Sequence, residues 1–276
     1  WRDVEGCETR LGGALFLLNL LIGLDLPECF DEDFRLSEHV TGWGLTELLA
    51  RSLLGAACDE FEDDPLWGAL AQLDGRAAGE PPAAGLRVGD GYRAPARWLG
   101  LFAPREGDAW LFARKGGRLS LRHSAGFDIA SLPLEGRDAA GLAARLADEY
   151  RARGVRVPPL AESRSAGARP NFKTLRAHGG ARLPAGLRRW MGWTFPFISH
   201  ALCRSLADAG ELFGGAEGAE SARELIVRRG RLYCTATHVD LVSEAANVSF
   251  PARRSGLDAS PGWVRDLVRV VTFHFE

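Results

Sequence analysis

Lysine and methionine are almost missing from this chain: Lys115 and Lys173 are the two lysines among 34 basic residues, and Met191 is the single methionine. With alanine and glycine abundant, this bias reads as the codon composition of a GC-rich, bacterium-like genome. It lacks the lysine and glutamate enrichment of hyperthermophile proteomes. Cysteine is sparse: Cys7, Cys29, Cys58, Cys203 and Cys234 are odd in number, widely spaced and without a C-x-x-C pair. That excludes a zinc ribbon and gives no disulfide framework. Cys203 and Cys234 lie in apolar stretches and read as small buried hydrophobes. A reducing, cytoplasmic home follows as the expectation.

Long apolar runs are lacking too. The longest, residues 11–24, is interrupted by Gly12, Gly13, Asn19 and Gly23, and a membrane helix needs about 20 residues. The run is expected to be a core helix, and no membrane span is expected. There is no P-loop, G-x-G-x-x-G, H-E-x-x-H or G-x-S-x-G motif, so no cofactor is implied and no positive case for an enzyme arises. Ser199-His200 and His123-Ser124 invite a hydrolase reading, but neighbours on a helix do not face each other. The chain opens on Trp1, so it is expected to be processed or to be a segment of something longer.

What is present is an ordinary folded composition, 46% hydrophobic and 25% charged over 276 residues, enough for one large domain or two smaller ones. Helical periodicity marks residues 11–24, with Thr9 as a candidate cap, and 43–54. Asp64-Pro65 opens a third helix ending at Gly75. Gly12 and Gly13 would let another backbone come close. The pattern then alternates: residues 109–114 and 118–123 flank Gly116-Gly117 as a hairpin, with strands expected at 98–102 and 127–132. Asp138 caps a helix to about 153. Residues 157–183 dissolve into Pro, Gly, Ser and Arg, and Pro184 then opens a long helix containing Pro196. A second hairpin is expected around Arg229-Gly230, with strands at 247–253 and 268–275. The fold class expected is α+β: a helical N-terminal portion, two antiparallel β-meanders and a long helix between them. The lobes are 1–156 and 184–276, joined by the connection 157–183.

Charge is divided unevenly. Residues 1–149 carry 15 basic and 25 acidic side chains, net −10, and residues 150–276 carry 19 and 11, net +8. Between Arg151 and Arg189 ten basic residues face one acidic residue, Glu162. One reading is neutralisation of one half by the other. The other is a docking surface for an acidic protein partner, made of Arg164, Arg169, Lys173, Arg176, Arg182, Arg188 and Arg189 with Trp190 and Trp193. Nucleic-acid platforms interleave stacking aromatics, and only Phe172 is near, so nucleic acid is disfavoured. Trp190, Trp193, Phe195 and Phe197 otherwise read as core. The acidic run 59–64 lacks the spacing and glycine of a calcium loop and instead precedes a helix whose dipole it suits. His238 and Asp240 share a strand face and His274 lies on the last strand, an alternative set for a metal-dependent hydrolase. The sequon at Asn247 falls in an expected strand.

Three stretches together, TRLGGALFLLN at 9–19, DPLWGALA at 64–71, and THVD at 237–240 with GLDASPGW at 256–263 and VTFHF at 271–275, resemble an uncharacterised bacterial family associated with gene clusters for extracellular contractile injection systems, the phage-tail-like particles. The resemblance implies an assembly or accessory role as a particle component and carries no catalytic residues. It also implies that His238, Asp240, Trp263 and His274 mark a structural corner of the last sheet. The function expected is a non-enzymatic protein–protein interaction or assembly component.

Overall fold

A computed structural model describes residues 5–77, 79–100, 110–136, 138–155, 162–163, 172–207, 215–245 and 250–276. The chain has the expected α+β class. Its two compact units are interleaved rather than consecutive. The first holds Trp1–Leu86, Lys173–Pro184 and Ala201–Glu276, and the second Arg87–Phe172 and Ala185–His200. The division therefore does not follow a single boundary at 157–183. Among the described residues no single helix is long and apolar enough to cross a membrane.

The first unit is built on a five-stranded sheet: β1 (Cys7–Thr9), β9 (Gly230–Cys234), β10 (His238–Ser243), β12 (Arg269–Phe275) and β11 (Gly262–Val264), in that spatial order. Alternation gives it one apolar face, where Val239, Leu241, Val271 and Phe273 are buried. Phe16 lies edge-on to Phe273 with ring centroids 5.1 Å apart, and the apolar run continues as α1 (Leu17–Gly23) after a 3-10 turn at Gly12–Phe16. Thr41 caps α3 (Gly42–Leu54), its Oγ1 accepting from Trp43 N at 3.1 Å. Asp64 caps α4 (Pro65–Leu73) through Leu66 N at 3.0 Å. The same carboxylate takes Thr9 Oγ1–H at 2.5 Å and Arg10 N–H at 2.9 Å, tying β1 to α4. Thr9 thus holds a strand, not a helix start. A short α2 (Asp31–Phe34) and the ribbon of β7 (Arg176–Ala177) and β8 (Ala181–Arg182) complete this region.

The second unit carries a sheet in the order β2 (Tyr92–Arg93), β5 (Asp128–Pro133), β4 (Arg118–His123), β3 (Trp110–Lys115) and β6 (Glu162–Ser163). The Gly116-Gly117 hairpin forms as expected, both glycines at positive φ. Asp138 caps α6 (Ala139–Ala152) by accepting from Ala140 N and Gly141 N, and Tyr150 Oη donates to Ile129 O at 2.6 Å to pin that helix to β5. The long helix α7 (Ala185–Leu206) contains Pro196. Its aromatics enter this core: Trp193 stacks on Tyr92 at 5.3 Å and Phe197 on Trp98 at 4.5 Å.

Several elements differ from expectation for local reasons. Residues 98–102 were expected as a strand, but Trp98 lies in α5 (Ala96–Gly100), which follows Pro95. Glu224 and its neighbours end α8 (Gly215–Ile226), whose alanines and glutamates are strong helix formers. The hairpin lies instead between β9 and β10, where Thr235 Oγ1 accepts from His238 N at 2.9 Å. Of the strand expected over 247–253, residues 247–249 lie outside the described residues and residues 250–253 belong to α9 (Phe250–Ser255), with Pro251 in its first turn and Arg253 and Arg254 in its last. Within the sheet of the first unit β10 and β12 run parallel, the rest pairing antiparallel, and in the sheet of the second unit β3 and β6 run parallel.

The close approach expected at Gly12-Gly13 is present. Gly12 N donates to Arg228 O at 2.7 Å, and a Cβ on Gly13 would stand 1.8 Å from Leu225 O. Gly13→Ala is therefore expected to destabilise by about 1–3 kcal/mol through overpacking. Gly23→Ala, with nothing within 4 Å of the added carbon, should not. Urea unfolding midpoints of the two variants check this.

Candidate functional site

The sheet of the first unit ends, among the described strands, on β11, and apolar surface is left uncovered at that edge, as it is at Phe250 in α9. A cleft of about 180 Å³ lies there between the C-terminal end of α1 and the β11–β12 turn. Its apolar lining includes Leu18, Leu21, Leu26, Val264 and Leu267, each 8% exposed or less. Above it stand Ile22 at 45% and Trp263 at 60% exposure. Local sequence explains the arrangement. Gly262, at φ 71°, turns the chain after Pro261, and in the three-residue strand Val264 faces the core while Trp263 faces out opposite Val270. Val268, itself 60% exposed, sits at φ 50° in the tight turn into β12. A β-branched residue is strained there.

The rim is acidic. Asp25, Glu28 and Asp266 line the cleft, and Arg265 is the one cation of its lining among the described residues, with Nε on Asp266 Oδ1 at 2.9 Å. Burial pushes the Glu28 carboxyl above its ordinary range, and the neighbouring Asp266, Asp25 and Asp31 add to the rise. The cleft is smaller than the roughly 300–1,000 Å³ of small-molecule pockets.

The basic residues nominated from sequence divide between the two units. Lys173, Arg176 and Arg182 belong to the first unit, and Arg188, Arg189, Trp190 and Trp193 to the second. Arg164 and Arg169 lie outside the described residues. Trp190 is fully buried and Trp193 is 3% exposed, so both tryptophans are core, not interface. Arg176 Nη1 donates to Lys173 O at 2.9 Å, and Arg189 pairs with Asp90 at 2.8 Å. Arg231 with Glu8 and Arg223 with Glu60 likewise join the basic half to the acidic half. Arg182 and Arg188 carry no ion pair with another described residue.

The alternative metal set does not converge. His274 Nε2 lies 3.1 Å from Asp240 Oδ1 across the parallel strands, but His238 is exposed and its Nδ1 lies 2.8 Å from Thr237 Oγ1. Among the described residues no three His, Cys, Asp or Glu side chains could hold a metal ion. In the acidic run, Glu62 pairs with Arg51 and Asp64 caps α4. Asn247 lies outside the described residues. Cys234 is exposed and Cys203 half-buried, and Cys58 is the buried cysteine. Neither Ile22 nor the exposure of Trp263 was read from sequence. The available signal was an aromatic alternating against an inward valine just after a Ser-Pro-Gly turn.

Two outcomes follow from the cleft's chemistry. A raised carboxyl pKa in the fold means that stability falls as pH rises from the ordinary glutamate value through the raised one. Glu28→Gln is therefore expected to be at least as stable as the wild type at pH 7 and to lose that advantage in acid, as thermal midpoints across pH would show. Val268→Asn, placing a residue tolerant of the left-handed region there, should raise the midpoint. No family model, curated protein or solved structure matches this chain.

Proposed function

We propose that this chain is a non-enzymatic protein–protein interaction component that docks a partner at the Trp263 cleft. The observation that carries the reading is a tryptophan 60% exposed beside an apolar cleft at a sheet edge. Interfaces are enriched in tryptophan, and a few such anchors hold most of the binding energy. The metal-dependent hydrolase reading has no converged ligand set to support it. An accessory place in a contractile injection particle is supported by the resemblance of the three stretches alone.

The test is affinity co-purification of the full-length protein from its host, comparing wild type with Trp263→Ala. A partner retained by the wild type and weakened by about 2 kcal/mol in the variant, roughly thirtyfold in Kd, is expected. The thermal midpoint should be unchanged. Recovery of particle proteins would place the partner in such an assembly. Equal capture by both proteins would overturn the site.

A further inference from the structure

We infer that Cys7 and Cys234 form a two-coordinate site for a soft d10 ion, copper(I), where β1 meets β9 in the sheet of the first unit. The strand register brings the two thiols together. Cys7 stands opposite Leu232, and Cys234 follows two residues later on β9, so both side chains leave one face of the sheet as diagonal neighbours. Arg269 joins them on that face from β12: Cys234 opposes Val239, Val239 opposes Val271, and Arg269 lies two residues before Val271. Both cysteines are reachable, Cys7 half-buried and Cys234 exposed. Their thiols also sense each other. Desolvation by the surrounding strands pushes the Cys234 pKa up to about 11, Cys7 adds to the rise, Arg269 pulls against it and Asp240 adds a smaller rise. Burial, and behind it Asp64 and Glu8, hold the Cys7 thiol up as well, so both protons stay on until a metal displaces them. Arg269 Nε is buried and makes no hydrogen bond among the described residues, and a thiolate sulfur beside it would satisfy that donor.

The spacing selects the chemistry. Diagonal neighbours stand about 7–8 Å apart, their Cβ atoms somewhat closer, whereas a disulfide takes Cβ atoms within about 3.5–4.5 Å. An ion between the sulfurs adds two metal–thiolate bonds of about 2.3 Å each and spans the difference. Two sulfur donors in line satisfy copper(I), a soft ion that thiolates select. Zinc asks for four ligands, and no third His, Cys, Asp or Glu completes a set among the described residues. Binding turns two thiols and one copper(I) into a bis-thiolate of single negative charge and releases two protons. The Arg269 guanidinium offsets that charge.

The experiment titrates copper(I) anaerobically into the reduced full-length chain against the chromogenic chelator bathocuproine disulfonate. One copper per chain is expected, with an affinity that rises about a hundredfold per pH unit below the thiol pKa values, because two protons leave. X-ray absorption should show two sulfur neighbours in a linear arrangement. Copper should protect Cys7 and Cys234 of the wild type from iodoacetamide and leave the labelling of Cys29 and Cys203 unchanged, a readout that needs no variant. Cys7→Ser and Cys234→Ser should each lose about a hundredfold in affinity, and Arg269→Gln about tenfold with the stoichiometry intact. Cys203→Ser should lose nothing. Coordination by three sulfurs, protection of other cysteines in place of this pair, or copper left wholly with the chelator would each overturn the inference. So would an affinity that does not change with pH.

Discussion

The first unit depends on a carboxylate buried completely in α3. Glu47 has no exposed surface, and it accepts from Arg51 Nε at 3.2 Å, from Arg76 Nη2, and from the backbone N–H of His178 at 2.6 Å. A charge in that position is tolerated only with full compensation, and removing one partner from such a set strands the others. Arg51 is itself buried, lies over the Trp67 ring at 4.3 Å and reaches Glu62 at 2.8 Å. Arg76 continues to Asp74, whose carboxylate also takes Thr41 Oγ1–H at 2.6 Å. One connected network thus joins α3, the end of α4, the acidic run and the segment at His178. Its links from Glu47 to Arg76 and to His178 join residues 29 and 131 apart in the chain and fix those segments against α3.

The network also bears on the cleft. Asp74 holds Thr41, and Thr41 caps α3. The next residue, Gly42, lines the cleft, and a Cβ there would stand 3.0 Å from Leu267 Cδ2. The start of α3 is therefore packed directly against the turn that follows β11. The capped start of α3 on one side and Val268 at positive φ on the other bound the β11–β12 turn. Binding surfaces preorganised in this way lose less entropy on association.

Elements with strong local chemistry were legible in the sequence. Asp64-Pro65 and Asp138 cap the helices they were expected to cap, Gly116-Gly117 turns a hairpin, and Gly12-Gly13 receives a neighbouring backbone. Where local signals were balanced, tertiary context decided. Residues 250–253 carry a strand-like alternation yet form a helix, because Pro251 suits a first turn and Arg253 and Arg254 suit a last one. The interleaving of the units was hidden because it is a long-range property: residues 185–200 complete a core with Tyr92 and Trp98. The same fact explains why Trp190 and Trp193, adjacent to arginines in sequence, belong to a core.

The candidate site was the least legible part, and the reason is physical. Sequence separates apolar from polar residues, but it does not show which apolar residue lacks a covering neighbour. Trp263 and Val264 are consecutive and both hydrophobic, yet one is 60% exposed and the other 8%. The two point to opposite faces of β11, and only the face of Val264 is covered by the core. Single exposed apolar residues are ordinary on proteins. Here Trp263 and Ile22 share one cleft, and the nearby Val268 is exposed in a conformation that costs a β-branched residue about 1–3 kcal/mol. A polar residue in the Val268 position, or a smaller one in place of Trp263, would serve the isolated fold as well. What those two side chains do provide is apolar surface on a strand edge with carboxylates around it. That combination gains free energy only when another chain covers it.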